Sequence, residues 1–229
     1  MEYTIEGGQT FPIVKVNLKS GETLKAESGA MVALSQNMEL RGKVEGGLKK
    51  AIGRVFSGES FFLQSIEAAK GDGWALLSTS QLGAIGTLDL NDEEWIIQKN
   101  GFVAATQDLD ITTKVQSLAK GLLSGEGFFI IRIKGTGTAF LSTYGALQYL
   151  DIPEGETVLV DNGHLVAWPA HLKYEMAKGG KGWVSSFTSG EGLACRFFGP
   201  GRVIIQTRNP KDFGQWIQQF LPPPPRSSN

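Results

Sequence analysis

One pattern limits what this chain can fold into: it repeats itself three times. GETLKAESGAMVA at residues 21–33 returns as GETVLVDNGHLVA at residues 155–167, 134 residues later. Between them EEWIIQKNGFVAA starts at Glu93. The central glycines are Gly29, Gly101 and Gly163. A second landmark reads SGESFFL from Ser57, SGEGFFI from Ser124 and SGEGLAC from Ser189, at spacings of 67 and 65. Each copy then passes a turn into another apolar run: GWALLSTS from Gly73, GTAFLSTY from Gly137, GRVIIQTR from Gly201. Each copy opens on a short run ending in a turn and an acid: VNLKSGE, LDLNDEE and LDIPEGE. Four landmarks in one order, three times over, mark tandem units that bury their apolar faces against one another.

The pattern inside a unit is β. VKVNL sets Val14, Val16 and Leu18 on one face and Lys15 and Asn17 on the other. In FFIIRIKG, Phe129, Ile131 and Ile133 oppose Arg132 and Lys134. Thirty glycines punctuate short apolar runs, the spacing of antiparallel all-β folds. Each unit therefore predicts about four or five strands. A unit of this size buries too little alone, so the three should share one body with pseudo-threefold symmetry. The expected organisation is one compact domain over residues 1–221, with units at 11–88, 88–150 and 150–208.

One helix is legible at residues 210–221. Asn209 is its N-cap, Pro210 its first residue, and Asp212 lies in the first turn. Phe213, Trp216, Ile217 and Phe220 form one apolar stripe. Such a stripe either docks on the β body or meets a partner or membrane surface. PPPPRSSN, at 222–229, reads as a flexible Pro-rich tail.

These motifs together resemble a bacterial family of unknown function. Its eukaryotic relatives are the altered-inheritance-of-mitochondria, or mitochondrial biogenesis, proteins. The resemblance covers about residues 1–220. It implies a TRAP-like fold, with three units each resembling a subunit of the tryptophan RNA-binding attenuation protein, and trimer-type assembly. The Lys-Lys-Arg pattern that would carry RNA binding does not recur here, so that activity does not transfer.

Net charge is −1, so no global field draws the chain to nucleic acid or anionic membrane. One cysteine permits no intrachain disulfide. The N-terminus has no signal-peptide pattern, and a cytoplasmic protein is expected. The repeat itself tests single residues. Cys195 aligns with Leu63 and Ile130, so it should fill an apolar site rather than act as a nucleophile. His164 stands opposite Ala30 and Phe102, and His171 falls at an exposed turn near Asn37 and Asp108. Two histidines in unrelated places make no metal site, and no cofactor is expected. The Gly/Lys-rich stretch at 177–186 lacks phosphate-loop spacing.

Ser57, Glu59, Ser124, Glu126, Ser189 and Glu191 recur in all three copies. Triplication favours a turn motif over catalysis, although a threefold axis would gather the acids as a symmetric binding site. The stretches before each motif mix basic and apolar residues and carry no acid. Lys49, Lys50, Arg54, Phe56, Lys120, Leu122, Lys181 and Trp183 make a candidate binding rim for a membrane surface or an acidic partner. The alternative is that they bury in subunit contacts. The reading that results is a non-enzymatic, self-assembling scaffold or binding module, a homotrimer by preference. A nucleic-acid or small-ligand binder of the attenuation type, and an uncharacterised hydrolase, stand beside it.

Overall fold

The computed structural model describes residues 1–8, 10–43, 63–116, 128–177 and 194–222. Among these the protein is mostly β strand, with one short C-terminal helix. The first group of strands comprises β1 (Glu2–Glu6), β2 (Ile13–Leu18), β3 (Thr23–Glu27), β4 (Met31–Leu34), β5 (Glu39–Lys43), β6 (Leu63–Glu67) and β7 (Gly73–Leu77). The alternation in β2 holds: Val14, Val16 and Leu18 are buried, while Asn17 is exposed. β2 pairs with β7 and β7 with β4; β3 pairs with β6 and β6 with β5, all antiparallel. β1 adds to the outer edge of β2.

The middle group has four strands: β8 (Ile85–Gln98), β9 (Phe102–Thr106), β10 (Asp110–Gln116) and β11 (Phe128–Ser142). β8 and β11 run antiparallel over almost their whole length. β9 flanks the C-terminal half of β11, with Ala139 opposite Ala105, and β10 flanks the N-terminal half, with Ile133 opposite Ile111. The register slips between Gly135 and Gly137, where φ is +127° and +154°. A Cβ at Gly137 would overlap Thr106 Oγ1, so only glycine permits the bend. The last group is β12 (Leu147–Ile152), β13 (Thr157–Asp161), β14 (Leu165–Pro169), β15 (Tyr174–Ala177), β16 (Ala194–Phe198) and β17 (Gly201–Gln206). Here β12–β17–β14 and β13–β16–β15 pair as β2–β7–β4 and β3–β6–β5 do.

Two further ladders join the groups. β9 pairs with β3, and β14 pairs with β8. A ten-stranded sheet results, ordered β12-β17-β14-β8-β11-β9-β3-β6-β5 with β10 beside β11. β1-β2-β7-β4 and β13-β16-β15 remain separate sheets. The apolar interior falls into three clusters. One gathers Val14, Leu24 and Ile66, one Ile97, Ile131 and Leu141, and one Trp168, Cys195 and Phe197. Ile96 and Ile97 are adjacent on β8, both buried, and belong to different clusters. β8 is therefore covered on both faces, which explains its continuous apolar run.

The strand after each central glycine shows how the joins matter. Val103 and Ala104 on β9 are 1% and 0% exposed, and Leu165 and Val166 on β14 are 2% and 1%. Met31 and Val32, at the same places on β4, are 37% and 54% exposed. Among the described residues the outer edges of β4 and β13 carry no partner strand.

The helix, α1 (Pro210–Gln218), starts where the sequence predicts. Asn209 Oδ1 accepts a hydrogen bond from the Lys211 amide at 3.0 Å. The stripe is presented more than it is buried. Phe213 and Ile217 are half-buried, Trp216 and Phe220 exposed. Phe213 meets Tyr144 with ring centroids 5.6 Å apart.

Two glycines separate local freedom from packing. Gly83 lies where the β7–β8 and β11–β12 connections cross, and a Cβ there would overlap backbone atoms of Thr143 and Gly145. Gly83→Ala should cost about 3 kcal/mol. At Gly29 a Cβ meets open space and φ is not positive, so Gly29→Ala should gain about 0.5 kcal/mol through the unfolded state. Urea denaturation of both variants measures the contrast.

Candidate functional site

The two later central-glycine turns are single 3₁₀ turns, Lys99–Gly101 and Asn162–His164. They are held by carboxamides from elsewhere in the chain. Gln81 Nε2 donates to the Asn100 carbonyl. Gln98 Nε2 donates to the carbonyl of Asn162 at 2.8 Å and to its Oδ1 at 3.0 Å. Gln206 Nε2 donates to the Gly163 carbonyl at 2.8 Å, and its Oε1 accepts from the Tyr144 amide at 2.8 Å. His164 Nδ1 lies 2.8 Å from the Gln206 carbonyl, so that nitrogen carries the proton.

Around this framework, at the start of α1, lie two adjoining cavities. One of about 330 Å³ is lined by Glu27, Thr79, Gln81, Leu82, Tyr144 and Phe213, among others. One of about 150 Å³ is lined chiefly by Gln98, Asn162, Gly163, Gln206 and Asn209. Gln81, Asn100 and Pro210 line both. Most of these carboxamides are engaged. One atom is not: Gln81 Oε1 is buried and has no hydrogen-bond partner among the described residues. Glu27, at the end of β3, is half-buried, and its carboxyl is pushed above the usual carboxylate range. Desolvation is the cause, and the charge of Lys99 opposes it without prevailing.

A second cleft, of about 440 Å³, is bordered by Asp92, Glu93, Glu94, Arg132, Lys134 and His171. Two of its charges are matched to each other, and a third meets an indole. Glu94 pairs with Arg132, and Glu93 accepts from Trp95 Nε1 at 3.3 Å. His171 is exposed, as its turn position predicts. Cys195 is fully buried, and burial pushes its thiol up to about 12, with Asp161 adding to the effect. It is a core side chain, like Leu63 and Ile130, and no thiolate nucleophile.

The sequence-predicted rim (Lys49, Lys50, Arg54, Phe56, Lys120, Leu122, Lys181 and Trp183) lies outside the described residues. So do Ser57, Glu59, Ser124, Glu126, Ser189 and Glu191, and the tail from residue 223. Glu27 and Gln81 were not singled out by sequence. The available signal was an acid at the end of an apolar strand, and it is weak.

These features define a multi-sheet, antiparallel all-β protein with a polar cavity beneath a terminal helix. The chain belongs to the mitochondrial biogenesis AIM24 family, whose profile matches residues 3–208. An uncharacterized protein of Streptococcus pyogenes serotype M6 is 30% identical over 230 residues, covering 97% of this chain and 92% of that protein. The crystal structure of a protein from Streptococcus pyogenes superposes with a TM-score of 0.79 at 29% identity, covering 96% of this chain and 99% of that one. Among the described residues no helix is long and apolar enough to cross a membrane.

The raised Glu27 carboxyl has a stability consequence of definite sign. A group whose folded pKa is raised contributes stability present at low pH and lost as pH rises through that pKa. Glu27→Gln removes the loss. The variant should be more stable than the parent at pH 7.5, and the gap should shrink as pH falls toward 4. Chemical denaturation at the two pH values measures it.

Proposed function

We propose that the chain is three tandem TRAP-like β-sandwich units joined head to tail in an open arc, not closed about the threefold axis that the repeat alone suggests, and that it is a non-catalytic, self-assembling scaffold. Support comes from the pairing order. First strand with sixth, sixth with third, second with fifth and fifth with fourth describes β2–β7 and β12–β17. It describes the middle group too when β8 and β11 are each counted as two strands. Three apolar clusters, each centred on one group and drawing on strands of a neighbouring one, accompany the division.

One observation carries the assembly. Within the chain the third strand of a unit pairs with the second strand of the unit before it, as β9 with β3 and β14 with β8. Among the described residues that rule leaves a third strand, β4, and a second strand, β13, with free outer edges. Pairing β4 of one copy with β13 of the next is a head-to-tail contact that closes a ring if the rotation allows. A trimer would then hold nine units in one round. The contact would also cover Met31 and Val32, which are exposed in the single chain.

Light scattering on the native particle should therefore give the mass of a trimer. Val32→Lys, which sets a charge on the open edge, should shift it to the mass of one chain. A native monomer, or a trimer indifferent to the substitution, would count against this reading.

The basic, acid-free stretches before each SGE motif give the scaffold its surface. In a ring they would recur around one rim and would meet anionic headgroups or an acidic partner. Vesicles containing phosphatidylserine should carry the protein upward in flotation at low salt. Neutralising Lys49, Lys50 and Arg54 should reduce the floated fraction several-fold, and salt should do the same.

A further inference from the structure

The apolar stripe of α1 lies open to water at one pole of an uneven charge distribution. Phe213 stacks on Trp216 with ring centroids 6.0 Å apart, and Trp216 meets Phe220 edge-on at 5.0 Å. Phe213 rests on Tyr144, but Trp216, Phe220 and Leu221 are each more than half exposed. A contiguous exposed patch of this kind marks an interaction site, unlike apolar residues scattered singly.

Strand register fixes what else lies at this end of the molecule. Leu63 stands opposite both Glu27 and Lys43. Ile130 stands opposite Gln98, and Phe128 opposite Gln116. Ala194 stands opposite both Asp161 and Ala177. Each connection that carries a basic, acid-free stretch therefore leaves and re-enters the β body beside a strand end that leads into a glycine turn. Two of those turns, and Glu27 from the third, border the cavities under the start of α1. Arg208 and Lys211 are exposed there as well. Of the acids at this end, Asp161 accepts from the Gly163 amide at 2.7 Å, Glu27 is half-buried, and Asp212 faces the positive end of the helix dipole. The opposite ends of the same strands are acidic. Connections 19–22, 91–94 and 153–156 hold Glu22, Asp92, Glu93, Glu94, Glu154 and Glu156 against a single base, Lys19. A net charge of −1 conceals two poles.

We infer that α1 is an interfacial anchor. It lies in the plane of an anionic lipid surface, with Trp216, Phe220 and Leu221 below the headgroups and the acidic pole turned away. Nine residues make a helix about 13 Å long, far short of a membrane span. Its only charges, Lys211 and Asp212, cancel, so the helix by itself draws no headgroup. Stable docking takes a second signal beside the apolar one, and the basic stretches at the same end supply it by charge. Trp216 joins an apolar ring to an indole N–H, the combination that settles at a headgroup boundary. The assignment rests on the membrane-docking reading above and adds the element that enters the bilayer.

Flotation of the full chain with phosphatidylcholine vesicles, with and without phosphatidylserine, tests this. The parent should float with the anionic vesicles only. Trp216→Ser combined with Phe220→Ser should lower vesicle partitioning about tenfold or more, the scale of losing the transfer of two large apolar side chains. Both side chains are exposed, so the variant keeps its fold, and a thermal melt checks that. Depth is read separately. In a Trp183→Phe background, lipids brominated on the acyl chains should quench tryptophan emission. Adding Trp216→Phe should abolish the quenching while binding persists. If the double serine variant floats as well as the parent, or quenching survives the loss of Trp216, the anchor is wrong and the basic stretches dock alone. A parent that does not float, or that floats equally on neutral vesicles, overturns the anchor and the docking reading together. If the double serine change alters the native mass in light scattering without vesicles, the stripe is a contact between copies and the assignment falls.

Discussion

Sheet edges govern this molecule. An exposed strand edge offers a row of unpaired amides and carbonyls, and a β protein must cover it, charge it or use it. Here the strand after the second and third central glycines is where one group of strands meets the one before it. β9 lies on β3 and β14 on β8, and at both joins most side chains are sealed from water. Backbone hydrogen bonds set the register, and the alternating side chains then fill the clusters beneath. The ten-stranded sheet and the two-sided burial of β8 follow from these two ladders.

Much of this was legible in the chain. The alternation in VKVNL, the cap at Asn209 and the apolar site of Cys195 depend on neighbours close in sequence or on comparison between copies. Each is found as expected. The strand count was harder. Six pairing positions per group exceed the expected four or five, because strands such as ELRGK and YEMA are short and polar, with no apolar alternation to reveal them. The fusion of paired strands into β8 and β11 was hidden for another reason. LNDEE reads as a turn, and only the glycines facing it at Gly135 and Gly137 let the backbone run on.

The cavity was not legible at all. Glu27, Gln81, Tyr144 and Phe213 are far apart in sequence and carry no shared motif. They converge because three connections and the helix meet at one place, and periodicity says nothing about where connections meet. Gln81 is conspicuous only once its partner and its lack of one are both seen.

Carrying the three glycine turns on one polypeptide has a consequence for stoichiometry. Two residues before the glycines stand Glu27, Lys99 and Asp161: an acid, a base and an acid. In an assembly of identical short subunits, any change to this turn would be copied to every position at once. A covalent tandem frees each copy to drift alone. The pocket at the first turn has an acid facing the base of the second, flanked by an aromatic contributed from α1, which exists once. That combination therefore occurs once per chain, whatever the number of chains in the particle.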